Sequence, residues 1–315
     1  MAARDRAALA RAITLVESTK PADVAQAETL LTQLLPRAGR AVRLGISGAP
    51  GVGKSTFIEA FGAHLTKMNQ RVAVLAVDPT SRRSGGSIMG DKTRMTELAR
   101  NPNAFVRPSP SGMALGGVAR RTREAMVVVE AAGFDVVIVE TVGVGQSETA
   151  VADMTDLFVL LVGPGGGDEL QGIKRGVMEL ADIVLVTKAD GDLAPAAARA
   201  AADYTGALHL LRPKYAGLPP SVLKISSLEG KGIAEAWTAM EKLFTALKAE
   251  GRLSRLRSEQ AKRWFWNEVH AALLDAVESD PKTARLAREL EATVEQGVVL
   301  PASAARQFLR ALHQA

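Results

Sequence analysis

Nine consecutive residues, Gly48-Ala49-Pro50-Gly51-Val52-Gly53-Lys54-Ser55-Thr56, hold the densest chemistry in the chain. Glycines at the first, fourth and sixth places let backbone N–H groups converge on a cluster of oxyanions. Lys54 then sets a cation where β and γ phosphate oxygens would lie, and the Ser55 hydroxyl is a candidate Mg²⁺ ligand. An apolar run ending at Ile46 comes before, and a helical period opens at Ser55. That is the strand–loop–helix setting a phosphate-binding loop requires, with the helix N-terminus adding positive potential.

Three carboxylates follow apolar runs or a glycine. Asp78 comes directly after RVAVLAV, Glu140 ends DVVIVE, and Asp91 follows Gly90. The carboxyl ends of strands carry the site in open α/β sheets. A phosphate-loop enzyme needs a carboxylate there to hold Mg²⁺ or its waters, which makes Asp78, Asp91 and Glu140 the candidates. Glu140-Thr-Val-Gly143 has the spacing of D-x-x-G with Glu for Asp, so the Gly143 N–H is placed to sense a γ-phosphate. Val144, not glutamine, follows Gly143, and Gln146 lies further on. The expectation is slow hydrolysis unless a partner completes the site.

A third cluster, Thr187-Lys188-Ala189-Asp190, ends the run DIVLV. It resembles N-K-x-D with Thr for Asn. A carboxylate at Asp190 accepts from both N1–H and the exocyclic amine of guanine, and adenine offers neither donor there. A buried site built on such bonds rejects an analogue lacking them, by on the order of 10⁴ in favourable cases. The Lys188 stem can lie along the base. Downstream, Ser226-Ser227-Leu228 resembles a backbone loop that contacts the guanine oxygen.

The elements that must position these groups follow from periodicity. VRLGIS, RVAVLAV, DVVIVE, DLFVLLV and DIVLVTK are Val/Ile/Leu-rich on both parities, as strands buried on both faces of a parallel sheet are, and SVLKIS fits a last strand. Helical patterns between them imply βαβ units. Residues 1–41 read as two helices, one with Leu9, Ile13 and Val16 on a face, the other marked by Leu30, Leu31, Leu34 and Leu35, with Pro21 between them and Pro36 after. Residues 42–249 form the α/β domain. Residues 250–315 read as helices only, divided by Pro281 and Pro301, with Gly297 ending one. The cluster Trp264, Phe265, Trp266 either packs within the monomer or anchors a subunit interface.

Composition narrows the classes. The 315 residues contain no cysteine, which excludes disulfides, thiolate metal sites and cysteine nucleophiles. The four histidines, His64, His209, His270 and His313, are dispersed, form no metal-ligand cluster and read as solvated or half-buried helix residues. No apolar run reaches the ~20 residues of a membrane span, and no short apolar stretch follows a basic start, so the expectation is a cytoplasmic protein. The net charge of +5 comes with no basic tract interleaved with aromatics, so no nucleic-acid partner is expected.

Several longer runs, VDPTSRRSGGSIMGDKTRM, RPSPSGMALGGVARRT, VETVGVGQSE, VGPGGGDELQGIKRGVME and TKAD, together resemble the MeaB/ArgK type of GTPase over roughly residues 42–232. Those proteins are chaperones of adenosylcobalamin-dependent acyl-CoA mutases, above all methylmalonyl-CoA mutase. The resemblance implies a P-loop GTPase domain with an N-terminal helical extension and a C-terminal helical dimerisation arm, hence a homodimer. It implies Mg²⁺ with GTP as substrate and GDP as product, and it puts Asp78, Asp91 and Glu140 on acidic Mg²⁺-site and switch positions. Gly163 to Lys174 falls on a third switch loop that reports nucleotide state to the mutase, with Gly165, Gly166, Gly167, Asp168, Glu169, Gln171 and Lys174 as its candidate contacts. The implied role is gatekeeping: GTP binding and hydrolysis control cofactor loading and protect or reactivate the mutase.

Rival readings are another B₁₂-dependent mutase as client, a transport-linked ATPase or kinase, a nickel-insertion GTPase, and a scaffold that barely turns over. Asp190 after Lys188 argues against ATP. The missing cysteines argue against nickel, and intact Lys54, Ser55 and Glu140 argue for turnover.

Overall fold

The computed structural model describes residues 5–77, 95–107, 115–141, 147–165 and 175–312. Among them seven strands form one parallel sheet in the order β3-β2-β4-β1-β5-β6-β7. These are β1 (Val42–Gly48), β2 (Val72–Val77), β3 (Ala104–Arg107), β4 (Val136–Thr141), β5 (Leu157–Val162), β6 (Ile183–Val186) and β7 (Ser221–Lys224). The α/β expectation holds. Every residue of β2, β4, β5 and β6 is buried, which is why both parities of those runs are apolar. β3 was not legible as a strand: AFVR is four residues long, lies at the sheet edge and is only half-buried at its end.

Helices cover both faces. On one lie α3 (Lys54–Lys67) and α9 (Ile233–Ala249). Phe57, Ile58, Phe61 and Leu65 of α3 recur at helical spacing and meet Leu44, Ile46, Ile138 and Val159 of the sheet. Phe57 stacks on Phe61 with centroids 5.1 Å apart, and Phe61 lies 6.0 Å from Trp237 of α9. Gly62 lets Leu98 of α4 (Thr96–Arg100) close against α3: a Cβ at 62 would fall 2.6 Å from a Leu98 methyl. Glu59 Oε1 meanwhile accepts from the N–H groups of Glu97 and Leu98, capping α4.

On the other face lie α1 (Arg6–Glu17), α2 (Pro21–Leu34) and α5 (Leu115–Ala131). Leu9, Ile13 and Val16 are buried with Val128, Val129, Val137 and Val139, so the predicted α1 face is the one that packs. Pro21 starts α2 as its first residue, where a missing N–H costs nothing. Leu34 is buried, whereas Leu35 is 63% exposed because the chain leaves α2 there through a 3₁₀ turn, Leu35–Arg37. Next to β5 and β6, α8 (Ala194–His209) buries Ala197, Ala200, Tyr204 and Leu208 against Leu160, Val162, Val184 and Val186. Short helices α6 (Ser147–Ala152) and α7 (Arg175–Leu180) belong to the same unit, which ends at Ser254.

A second compact unit begins at Arg255, inside α10 (Arg252–Ser279), and continues through α11 (Pro281–Glu295) and α12 (Pro301–Leu312). Pro281 and Pro301 each open a helix, and Gly297 follows α11 with φ 71°, a left-handed value that suits glycine. Asp280 caps α11, accepting from the Thr283 N–H at 2.9 Å, and that bond lowers the Asp280 pKa. Trp264 donates its indole N–H to Glu268 at 3.0 Å, one turn on. Phe265 and Trp266 pack edge-on to each other and are 60% and 58% exposed.

Candidate nucleotide-binding site

β1 lies between β4 and β5 at the centre of the sheet, and the phosphate-loop sequence leaves from its carboxyl end. Two glycines have reasons visible in the backbone. Gly48, at φ 157°, runs so close to β5 that a Cβ would sit 2.5 Å from the Leu161 carbonyl oxygen. Gly53 ends the loop at φ 102° and is the residue from which α3 starts. Pro50, Gly51 and Thr56 are exposed, while Val52 is buried and plugs the loop into the core. The Val52 N–H returns to the Ala49 carbonyl at 3.2 Å, closing a turn inside the loop. Lys54 folds back over its own loop, with Nζ 2.6 Å from the Gly48 carbonyl and 3.3 Å from that of Ala49. Ser55 stands beside it in the first turn of α3, half-buried.

The neighbouring strand brings the carboxylate. Glu140 pairs in register with Ile46 of β1 and Ala76 of β2, and it is 3% exposed. Thr141 next to it donates its hydroxyl to Ser47 Oγ at 3.0 Å. That bond joins the end of β4 to the residue just before the phosphate loop. Ser47 was not singled out from sequence, although a buried hydroxyl in an apolar strand is the signal that could have found it.

Ser55 and Glu140 are hard oxygen donors, and among the described residues no group of three His, Cys, Asp or Glu side chains converges as a closed metal cage would. This donor set fits Mg²⁺, which takes one or two protein oxygens and completes its shell with phosphate oxygens and water. Asp78 and Asp91 lie outside the described residues, as do Gly143, Gly166, Gly167, Asp168, Glu169, Gln171 and Lys174. Gly165 is described: it follows β5 on the same sheet edge and is exposed.

The base cluster is fastened to the phosphate loop. β6 ends at Val186, and Thr187 is buried with its hydroxyl 2.7 Å from the Val52 carbonyl and 3.1 Å from that of Val162. Lys188 takes φ 55°, a left-handed value for a side-chain-bearing residue, and its Nζ reaches the Gly51 carbonyl at 3.0 Å. The Ala189 N–H bonds the Ile225 carbonyl at 3.0 Å, which lays the Ser226-Ser227-Leu228 turn alongside Asp190. Ser226 is buried, and its Oγ accepts from the Glu229 N–H at 3.1 Å. Leu228 is 83% exposed. Lys231 pairs with Glu229 at 2.7 Å, and that bond, with the Asp190 charge beyond it, raises the Lys231 pKa. Thus Thr187, counted from sequence among residues lining the nucleotide, spends its hydroxyl on the protein's own backbone.

The described phosphate, carboxylate and base clusters therefore lie together at the carboxyl ends of β1, β4 and β6 in one sheet. Residues 9–282 match the family described as "Methylmalonyl Co-A mutase-associated GTPase MeaB". The chain is 56% identical to a putative GTPase of Caulobacter vibrioides, over 99% of this chain and 95% of that one. It is 48% identical to the mitochondrial "Methylmalonic aciduria type A homolog" of Mus musculus, over 97% of this chain and 76% of that one. The crystal structure of a protein named "LAO/AO transport system kinase" superposes with a TM-score of 0.78 at 42% identity, covering 98% of this chain and 94% of the other. No described helix is long and apolar enough to cross a membrane.

Proposed function

The chain belongs to the MeaB family of methylmalonyl-CoA mutase-associated GTPases, and from that premise we propose that it is a Mg²⁺-dependent GTP hydrolase gating an adenosylcobalamin-dependent methylmalonyl-CoA mutase. Its task is to control cofactor loading and to protect or reactivate the mutase. The observation that carries this is the fastening of the Thr187–Asp190 loop onto the Gly51–Val52 carbonyls, which makes one site of a phosphate cradle and a guanine reader.

The roles follow from position. Backbone N–H groups of the loop and the N-terminus of α3 receive the phosphates. Lys54 exchanges loop carbonyls for β and γ oxygens. Asp190 accepts from the two guanine donors, the Lys188 stem lies along the base, and the Ser226–Leu228 turn offers backbone N–H to the guanine oxygen. Ser55 and Glu140, with Asp78 and Asp91, would hold Mg²⁺. When bound, the ion neutralises charge developing on the transferred phosphoryl group. Gly143 reports the γ-phosphate, and the Gly165–Lys174 segment carries that state to the mutase.

Val144 stands where a water-orienting glutamine would, so hydrolysis alone is slow and the mutase accelerates it. The relative named for methylmalonic aciduria supports methylmalonyl-CoA mutase as client; another B₁₂-dependent acyl-CoA mutase is the alternative. A transport-linked kinase is favoured only by the name of one solved neighbour, and Asp190 opposes its use of ATP. The exposed Phe265 and Trp266 support pairing of two copies through the C-terminal helices.

The test is GTP hydrolysis by the purified protein during titration with methylmalonyl-CoA mutase. A saturable rise in rate is expected. A flat response with basal turnover intact would remove this mutase as the client.

A further inference from the structure

We propose that a cavity at the amino ends of β1, β2 and β4 binds a small polyanion bearing phosphate monoester or carboxylate groups, through Arg37 and Arg40. This second site is separate from the nucleotide loops and does not rest on how those loops are read.

The cavity holds about 590 Å³, and its lining includes Arg37, Arg40, Gln70, Glu130, Phe134 and Asp135. That volume suits a small metabolite. Its walls are three connections: the chain from α2 to β1, the residue pair entering β2, and the turn from α5 to β4. They are tied to one another. The Gly39 N–H bonds Glu130, and the Val42 N–H bonds the Asp135 carbonyl at 2.9 Å. The Arg71 N–H reaches Asp135 Oδ2 at 2.8 Å. The Arg71 guanidinium bonds the Ala132 and Gly133 carbonyls at 2.7 and 2.9 Å and lies over the Phe134 ring. Gly39, at φ 83°, makes the left-handed turn between Arg37 and Arg40. A cavity held in this way is formed before any ligand arrives, which lowers the cost of binding.

Charge decides what enters. Glu130 is 3% exposed, and both its oxygens are taken: Arg43 Nε bonds Oε1 at 2.6 Å, and Arg43 and Gly39 share Oε2. Arg43 therefore neutralises it. Arg71 spends its guanidinium on two carbonyls. Arg37 and Arg40 are exposed, and neither has a hydrogen bond or ion pair among the described residues. Two uncommitted guanidinium forks thus line one concave space, with Asp135 as the only carboxylate there not already neutralised. Such forks match the paired oxygens of phosphate or carboxylate. Asp135 and the Gln70 amide can accept from a hydroxyl of the same ligand. β1 runs seven residues from this end to the phosphate loop, so the two sites lie about 20 Å apart and can be filled together.

The experiment titrates 3-phosphoglycerate and citrate, by calorimetry, into the full-length protein saturated with GDP. Arg37→Ser, Arg40→Ser, Arg37→Lys and Arg40→Lys are treated alike, with melting temperatures alongside. At least one of the two anions should fill a single saturable site with a Kd below about 1 mM while GDP stays bound. Each serine variant should bind it at least about tenfold more weakly. Lysine keeps the charge but loses the fork, so it should recover only part of that loss. Basal GTP hydrolysis should match wild type in all four. No saturable binding of either anion, serine variants within about twofold of wild type, displacement of the anion by GDP, or full affinity in both lysine variants would each overturn the assignment. Failure of GDP itself to bind would instead overturn the nucleotide reading, and the same titration would then be read on the unliganded protein.

Discussion

Lys54 gives its ammonium to two loop carbonyls, and in the proposed site a phosphate chain would compete for it. Replacing it with alanine should slow GTP hydrolysis by roughly 10²–10³-fold, the usual cost of removing one group that stabilises transition-state charge. A single-turnover assay checks this, and unchanged hydrolysis would remove the phosphate-site assignment. Asp190→Asn should cut the preference for GTP over ATP by at least about tenfold, because the amide cannot accept from both guanine donors. Competition between the two nucleotides reads that directly. These residues were legible because each is a fixed type at a fixed spacing. The Val52 partner of Thr187 was not, since it lies far away in sequence and a backbone carbonyl leaves no mark on residue type.

At the scale of elements, buried runs of both parities announced five of the seven described strands and the partly exposed run SVLKIS a sixth, while the short edge strand Ala104–Arg107 carried too few residues for any period. The α3 helix is keyed to the sheet by Phe57 and Phe61, both fully buried. Phe61→Ala should destabilise the fold by about 3–5 kcal/mol through lost burial and the cavity left behind. Chemical denaturation measures it, and the GTP-over-ATP preference should survive wherever the variant remains folded. In the C-terminal helices, the Thr283 N–H lowers the Asp280 pKa. The cap therefore contributes fully above the ordinary aspartate range and is lost as pH falls through the lowered folded value. Asp280→Ala should reduce helicity by circular dichroism near neutrality, and the difference from wild type should shrink in acid.

For the molecule as a whole, the sequence marked off a helical C-terminal region but left Trp264 and Trp266 between packing and interface. The two have different fates: Trp264 bonds Glu268 a turn away, and Trp266 is mostly exposed with Phe265 beside it. Replacing Phe265 and Trp266 together by alanine should convert the proposed dimer to a monomer in light scattering, leaving basal hydrolysis in place. A dimer that persists would put its contact elsewhere. The sheet order has a consequence for synthesis. β1 leaves the ribosome early, yet its partners are late: Val42 pairs with Val136, and Leu44 with Leu157. The strand that bears the phosphate loop must therefore wait, apolar and unpaired, until half the chain has emerged, and the Thr187 tie closes later still. A nascent chain halted short of β5 should be unable to retain nucleotide and should depend on holding factors that shield its central strand.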